Sequence, residues 1–269
     1  MISVREVLDK VQINMPFRML YDTYLPMILA ERINPEIGFD CFALDRFEKD
    51  DFRRVADDLR NAGLSITFHA PFYDLRPGAM DPKIRQVTID RLKQVFDLVP
   101  YFSPSSIVCH AAFDSKYYVT HEELWLENSA DTWKYFAAIA VEMNTTVVLE
   151  NVYEKDPVML CRLFDMLHES DGIYFCFDTG HFNAFSTATL HDWTDSLGRR
   201  IFEVHMHDNS GSSDEHSPVG EGSFSFLQLF EFLRESCLRP IITCEPHTEE
   251  NLWRTVKSIS DLQLLEYLE

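Results

Sequence analysis

Short apolar runs alternate with longer amphipathic stretches eight times along this chain, and that rhythm restricts the fold more than any other feature. The runs are "VQINMPF" (11–17), "PEIGFDC" (35–41), "SITFHAP" (65–71), "SIVCHA" (106–111), "TTVVLEN" (145–151), "IYFCFDTG" (173–180), "IFEVHMHD" (201–208) and "PIITCEP" (240–246). Helical patterns fill most of the intervals. The stretch 48–63 ends on Gly63, which suits a helix C-cap, and 81–99 carries Pro82 in a first-turn position. "NSADTWKYFAAIAVEMN", "DPVMLCRLFDMLHES" and "FSFLQLFEFLRES" continue the series, and a last helix is expected near 249–268. Only the first interval is ambiguous: "RMLYDTYLPMILAERIN" is apolar on most sides and interrupted by Pro26. Strands that alternate with helices predict a parallel sheet, and eight of them predict a closed (β/α)8 barrel. With no linker or composition break, residues 1–269 read as a single TIM-barrel domain of the α/β class.

The bulk chemistry narrows the partners. The formal net charge of −20 repels phosphate backbones at long range, which disfavours nucleic acid without excluding a local basic groove. Six cysteines include no C-x-x-C pair, and Cys109, Cys176 and Cys244 sit inside apolar runs, so buried free thiols in a reducing compartment are expected. "MISVREVLDK" places charges where a signal peptide needs an apolar core, and no apolar run approaches the roughly 20 residues of a membrane span. The expectation is a cytoplasmic protein without a membrane anchor.

In a parallel barrel, chemistry collects at the C-terminal ends of the strands. The last six runs deliver His69, His110, Glu150, Asp178, His205 and Glu245 to those ends, with His181 three residues beyond Asp178. Each alone has an ordinary explanation. A strand-end histidine is usually a hydrogen-bonded structural residue, Glu150 would serve as a surface acid, and Asp178 would close a turn. All six on one rim is a different matter, because burying several carboxylates without cations is costly. Mixed nitrogen and oxygen donors suit Zn2+, Mn2+ or a similar divalent ion. Side-chain alternation then directs Cys109 and Cys244 away from the site as packing residues, and puts Glu203 on the same face as His205, one layer below. After the seventh run, "EVHMHDNSGSSDEHSPVGEG" adds His207, Asp214 and His216 in a loop with glycines for backbone freedom. That loop is either a solvated surface or, with His181, a second donor set.

These motifs together resemble the xylose-isomerase-like barrel superfamily, which includes endonuclease IV and many sugar and sugar-phosphate isomerases and epimerases. The resemblance rests on "FHAPF" with His69, "CHA" with His110, "LEN" with Glu150, "DTGH" with Asp178 and His181, "VHMHD" with His205, "DEHSPVGEG" with Asp214 and His216, and "CEP" with Glu245, over about residues 10 to 250. Set against endonuclease IV, it implies up to three ions. The first would take His69, His110 and Glu150, the second Glu150, Asp178, His205 and Glu245, and the third His181, Asp214 and His216. Set against the sugar epimerases, it implies one ion on Glu150, Asp178, His205 and Glu245. Glu150 and Glu245 would then act as base and acid through an enediolate, with His181, His207 and Tyr73 on the substrate.

Two chemistries compete on these residues. A complete third donor set favours phosphodiester hydrolysis by a metal-bound hydroxide. "HAPFYDLRPG" resembles the sugar-enzyme branch, and the mouth candidates Arg18, Tyr73, Arg76, Lys116, Tyr117 and Tyr118 are few for a DNA groove. The expected activity is therefore a divalent-metal-dependent sugar or sugar-phosphate isomerase or epimerase. The alternative is an abasic-site endonuclease, and a polyol lyase or a non-catalytic sugar-binding barrel ranks below both.

Overall fold

A computed structural model describes residues 2–269. Its eight strands are β1 (Gln12–Pro16), β2 (Asn34–Gly38), β3 (Thr67–His69), β4 (Ile107–His110), β5 (Val147–Glu150), β6 (Ile173–Asp178), β7 (Ile201–Met206) and β8 (Ile241–Cys244). They pair in chain order and close into a barrel, the expected single eight-stranded β/α fold. By backbone packing the chain divides into two compact units, Met15–Glu150 with Val158–Tyr174, and Met1–Asn14 with Asn151–Pro157 and Phe175–Glu269.

In the first unit, β2, β3, β4 and β5 are parallel neighbours, and their register sets His110 beside Glu150. Its core is built on phenylalanine. Phe17 is fully buried and meets Phe39, Phe47, Phe52 and Phe102. The helix Lys49–Asn61 supplies Phe52, Val55, Ala56 and Leu59 from one face, the i, i+3, i+4, i+7 stripe of an amphipathic helix. It stops just before Gly63, whose φ of +67° is one that glycine adopts without strain. The expected helix 81–99 is shorter, Pro82–Phe96, and a separate turn Val99–Phe102 follows. Pro100 is the reason: a proline ring collides with the carbonyl four residues back, here that of Phe96.

The ambiguous stretch after β1 is helical up to Glu31. Phe17–Met19 widens into a π turn at Leu20–Tyr24, the Leu25 amide bonds the Leu20 carbonyl, and a new helix Leu25–Glu31 begins with Pro26 in its first turn. A missing N–H costs nothing there.

In the second unit, β6, β7 and β8 are parallel neighbours and β8 pairs with β1, with Asp178 set beside His205. β6 ends at Asp178, two residues short of expectation. The Asp178 carboxylate accepts the His181 amide at 2.6 Å and caps the helix Thr179–Phe185. Trp193 packs against Phe175, Phe177 and Phe182 beneath this helix. β7 continues to Met206, and β8 ends at Cys244 although the Glu245 amide still bonds the Met206 carbonyl.

Among the helices that escaped the sequence reading are Val4–Lys10 and Leu190–Leu197. Both carry capping boxes, Ser3 with Glu6 and Thr189 with Asp192, and that S/T-x-x-acid spacing was the available signal. Thr189→Ala removes one such cap and is expected to cost about 1 kcal/mol, readable as a lower urea midpoint.

Candidate metal centre

In the first unit, β3, β4 and β5 each end on a donor. The Glu150 carboxylate lies 2.8 Å from His110 Nε2 and 3.3 Å from His69 Nε2. His69 Nδ1 donates to the Ala70 carbonyl at 2.9 Å, which leaves Nε2 of a neutral ring as the lone pair facing Glu150. Phe72 stacks on His110 at 4.4 Å and meets His69 edge-on. Tyr73 packs on Phe72 and is 76% exposed, so an aromatic surface borders the donors. Cys109 is buried and borders Thr88, Leu92 and Trp133, helix-side residues, as strand alternation predicts. Burial, together with the Glu150 charge, pushes its thiol far above the usual range.

The second unit brings together Asp178, His181, His205, His207, Asp214, His216 and Glu245. His205 Nδ1 lies 3.0 Å from Glu245 Oε1 and 3.9 Å from Asp178 Oδ2. His207 Nε2 lies 3.1 Å from both Asp178 oxygens. Asp214 lies between His181 and His216, at 3.4 and 3.3 Å from their Nε2 atoms. Glu203 is fully buried, takes the Thr243 hydroxyl at 2.6 Å and sits 3.9 Å from His205 Nε2. Cys244 is buried behind Glu245, and burial first, then the Glu245 charge, pushes its thiol up to about 12. All six cysteines are free thiols, but only Cys109, Cys176 and Cys244 are buried, while Cys41 and Cys161 are partly exposed and Cys237 is exposed.

Two supporting residues, Asn151 and Asp208, lay beyond the sequence reading. Asn151 holds the end of β6 from both sides: its Oδ1 accepts the Asp178 amide at 2.9 Å and its Nδ2 donates to the Asp178 carbonyl at 3.0 Å. Asp208 is fully buried and accepts the amides of Asn209, Gly220, Gly222 and Phe224, tying both ends of the loop that carries Asp214 and His216. A single antiparallel bridge between Asp208 and Ser217 closes that loop. His247 extends a stack of imidazoles, with His207 and His216 at 3.7 Å and His216 and His247 at 3.9 Å. The signals were adjacent to recognised donors ("LEN", "HMHD"), but backbone hydrogen bonding leaves no periodic trace in a sequence.

Charge in this cluster is unbalanced. Burial opposes ionisation of Asp214, yet polar contacts with His181 and His216 and the charge of His207 hold it well below the usual carboxylate range. Burial opposes protonation of His216, yet Asp214 and the charge of Glu245 raise it to about 9. Three donor groups in this unit have ligand atoms within 4.8 Å of one another: Asp178, His181 and His207; His207, Asp214 and His216; Asp178, His205 and Glu245. Imidazole nitrogens and carboxylate oxygens at that spacing have the chemistry and the reach to hold divalent metal ions. No helix among the described residues is long and apolar enough to cross a membrane.

Comparisons with known proteins bear on the fold and the family. The family model described as "Xylose isomerase-like TIM barrel" matches residues 35–263. The uncharacterized protein MJ1311 of Methanocaldococcus jannaschii is 28% identical over 212 residues, 77% of this chain and 71% of the relative. Among solved structures, a D-tagatose 3-epimerase-like protein superposes with a TM-score of 0.78 at 21% identity, over 95% of this chain and 97% of that one. D-psicose 3-epimerase of Clostridium cellulolyticum H10, crystallised with D-tagatose, superposes with a TM-score of 0.74 at 13% identity, over 96% of this chain and 99% of that one.

Proposed function

Because this chain belongs to the xylose-isomerase-like TIM-barrel family, we propose that it is a divalent-metal-dependent isomerase or epimerase of a sugar or sugar phosphate. The observation that carries the reading is the arrangement at the ends of β6, β7 and β8. Asp178 and Glu245 flank His205 there, with Glu245 Oε1 in contact with the ring at 3.0 Å. A carboxylate held next to an ion-binding set is suited to moving a proton at a carbon beside a carbonyl. Glu150, Asp178, His205 and Glu245 would hold the ion, Zn2+ or Mn2+, and the ion would polarise the ketose carbonyl and the neighbouring oxygen. Glu150 and Glu245 take the base and acid roles. The exposed ring of Tyr73, packed on Phe72, offers a surface for the apolar face of a sugar.

The test is solvent exchange. The protein loaded with Zn2+ or Mn2+ is incubated with ketoses and their phosphates in D2O. Deuterium is expected to enter at the carbon beside the carbonyl, and chelation with EDTA is expected to stop it. The competing phosphodiesterase reading is favoured by the additional set His181, Asp214 and His216. It predicts metal-dependent nicking of abasic-site DNA. Nicking without exchange on any ketose tried would overturn the isomerase reading. The −20 net charge makes DNA binding weak and strongly salt-sensitive in either case.

A further inference from the structure

The loops that follow β3 and β4 carry charged and polar groups that the proposed proton transfer does not use. Acids outnumber bases 44 to 24 in this chain, and arginines such as Arg18, Arg46 and Arg91 lie on carboxylates. Arg76, on the loop after β3, does not. It is exposed, and its guanidinium has neither a carboxylate nor a hydrogen-bond partner among the described residues. Lys116, on the loop after β4, is exposed with its ammonium in the same state. Tyr118 on that loop is only 1% exposed, yet its hydroxyl also has no hydrogen-bond partner among the described residues. A buried tyrosine hydroxyl normally finds one.

Both loops close on the fully buried ring of Trp125. Gly78 lies against it, where a Cβ would stand 2.5 Å from the indole, and Phe113 and Tyr118 pack on it at 4.8 and 6.2 Å. Burial raises the Tyr118 hydroxyl above its usual range. Arg76 is the largest charge acting on it and opposes that rise, with Tyr117 and Asp114 acting the other way. The backbone beneath these side chains is fixed. The Arg76 amide donates to the Thr88 hydroxyl at 2.8 Å, and the Thr132 hydroxyl donates to the Pro77 carbonyl at 2.8 Å. Across from them the Asp114 carboxylate accepts the amides of Lys116 and Tyr117 at 2.9 and 3.1 Å. Free polar ends on a fixed backbone bind at a low ordering cost. A guanidinium and an ammonium have donors and no acceptor, so their ligand is an anion. A phosphate group, with a charge of about −1.5 to −2 and three acceptor oxygens, matches a forked donor, a point charge and a hydroxyl together.

We propose that Arg76, Lys116 and the Tyr118 hydroxyl form a subsite for the phosphate of a phosphorylated ketose. The inference rests on the isomerase reading and narrows it from sugars in general to sugar phosphates. Phe72 and Tyr73 share the Arg76 loop: Tyr73 packs on Phe72 at 4.4 Å, and Phe72 stacks on His110 at 4.4 Å. A sugar laid on these rings turns its carbonyl end to the strand-end donors and its phosphate to Arg76. Binding energy from a group remote from the reacting carbon is then available to orient that carbon. The −20 net charge repels a phosphate at long range, so its affinity depends on these local cations.

The test is equilibrium binding to the zinc-loaded full chain, by calorimetry and by the phosphorus NMR line width. The probes are D-fructose 6-phosphate and D-ribulose 5-phosphate, each against its unphosphorylated ketose. Wild-type protein is expected to prefer at least one phosphate. Arg76→Ala is expected to bind that phosphate about 10–100-fold more weakly, and Lys116→Ala about 10-fold more weakly. Tyr118→Phe keeps the packing on Trp125, removes only the hydroxyl and is also expected to cost about 10-fold. Lys134→Ala removes an exposed charge from the helix Glu122–Glu142 and is expected to leave the preference intact, which separates a local contact from a change in net charge. Wild-type protein that binds neither phosphate more tightly than its ketose would overturn the proposal. So would an unchanged preference in folded Arg76→Ala and Tyr118→Phe proteins. Loss of abasic-site DNA binding in Arg76→Ala, with sugar phosphate still held, would give these groups to nucleic acid and overturn it as well. Turnover does not enter these readouts. Phosphate held through Arg76 without deuterium exchange upholds the subsite and sinks the reaction, and exchange without any phosphate preference does the reverse.

Discussion

Glu245→Gln, saturated with metal, is expected to exchange the ketose proton about 10²–10⁴-fold more slowly than the wild type, and Glu150→Gln to match it. The substitution is close to isosteric, so the strand ends keep their shape. What it removes is the negative charge and the ability to take a proton. Glu245 is largely buried, with a side-chain exposure of 10%, and its Oε1 lies 3.0 Å from His205 Nδ1. Glu150 contacts both His69 and His110 through one oxygen. Each variant also loses a charged ligand, so exchange must be measured across a metal titration to its plateau. A low plateau means lost proton transfer, whereas a shifted midpoint with a normal plateau means only weaker metal binding. If both variants reach the wild-type plateau, the carboxylates are ligands and no more, and the acid–base scheme fails.

The second large effect is expected at Asp208, a residue outside every proposed donor set. Its carboxylate is fully buried and accepts four backbone amides, from Asn209 at 2.9 Å, Gly220 at 3.1 Å, Gly222 at 2.9 Å and Phe224 at 3.1 Å. Gly222 allows the close approach: a Cβ there would stand 2.3 Å from Asp208 Oδ1 and 2.2 Å from the Asn209 carbonyl oxygen. Asp208→Ala strands several buried N–H groups, each costing about 1–3 kcal/mol if left dry, so a loss of about 3–5 kcal/mol is expected after the loop relaxes. Urea denaturation measures it. The loop that presents Asp214 and His216 loses its anchor at the same time, so zinc retention is expected to fall with stability. A loss under 1 kcal/mol would mean that water reaches these amides and that the loop is held elsewhere.

Much of the architecture is legible in the residue order because apolar periodicity records burial directly. Eight runs of strand length separated by helical stripes leave few alternatives to a closed parallel barrel, and the barrel is what forms. Most departures come from local chemistry that outweighs pattern. Asp178 caps a helix where the apolar run suggested more strand, and Pro100 divides a helix whose stripe continues past it. A π turn carries the chain into the Pro26 helix, because hydrogen-bond geometry adjusts to a missing N–H more readily than an apolar face can be left in water. The Cys109 thiol lies among helix-side residues as alternation requires, since successive strand residues face opposite sides.

Donor identity, strand order and the sidedness of each strand are one-dimensional properties, and the sequence alone determined them: His69, His110, Glu150 and Asp178 end their strands, with His205 and Glu245 within a residue of theirs. Distances and tautomers are not. That His207 turns its Nδ1 toward Asp214, that Asn151 and Asp208 brace the donors, and that Gly180 leaves room for a ring were decided only in three dimensions. The physical reason is that these features depend on which backbone amides and carbonyls face a side chain, and every residue but proline carries the same amide.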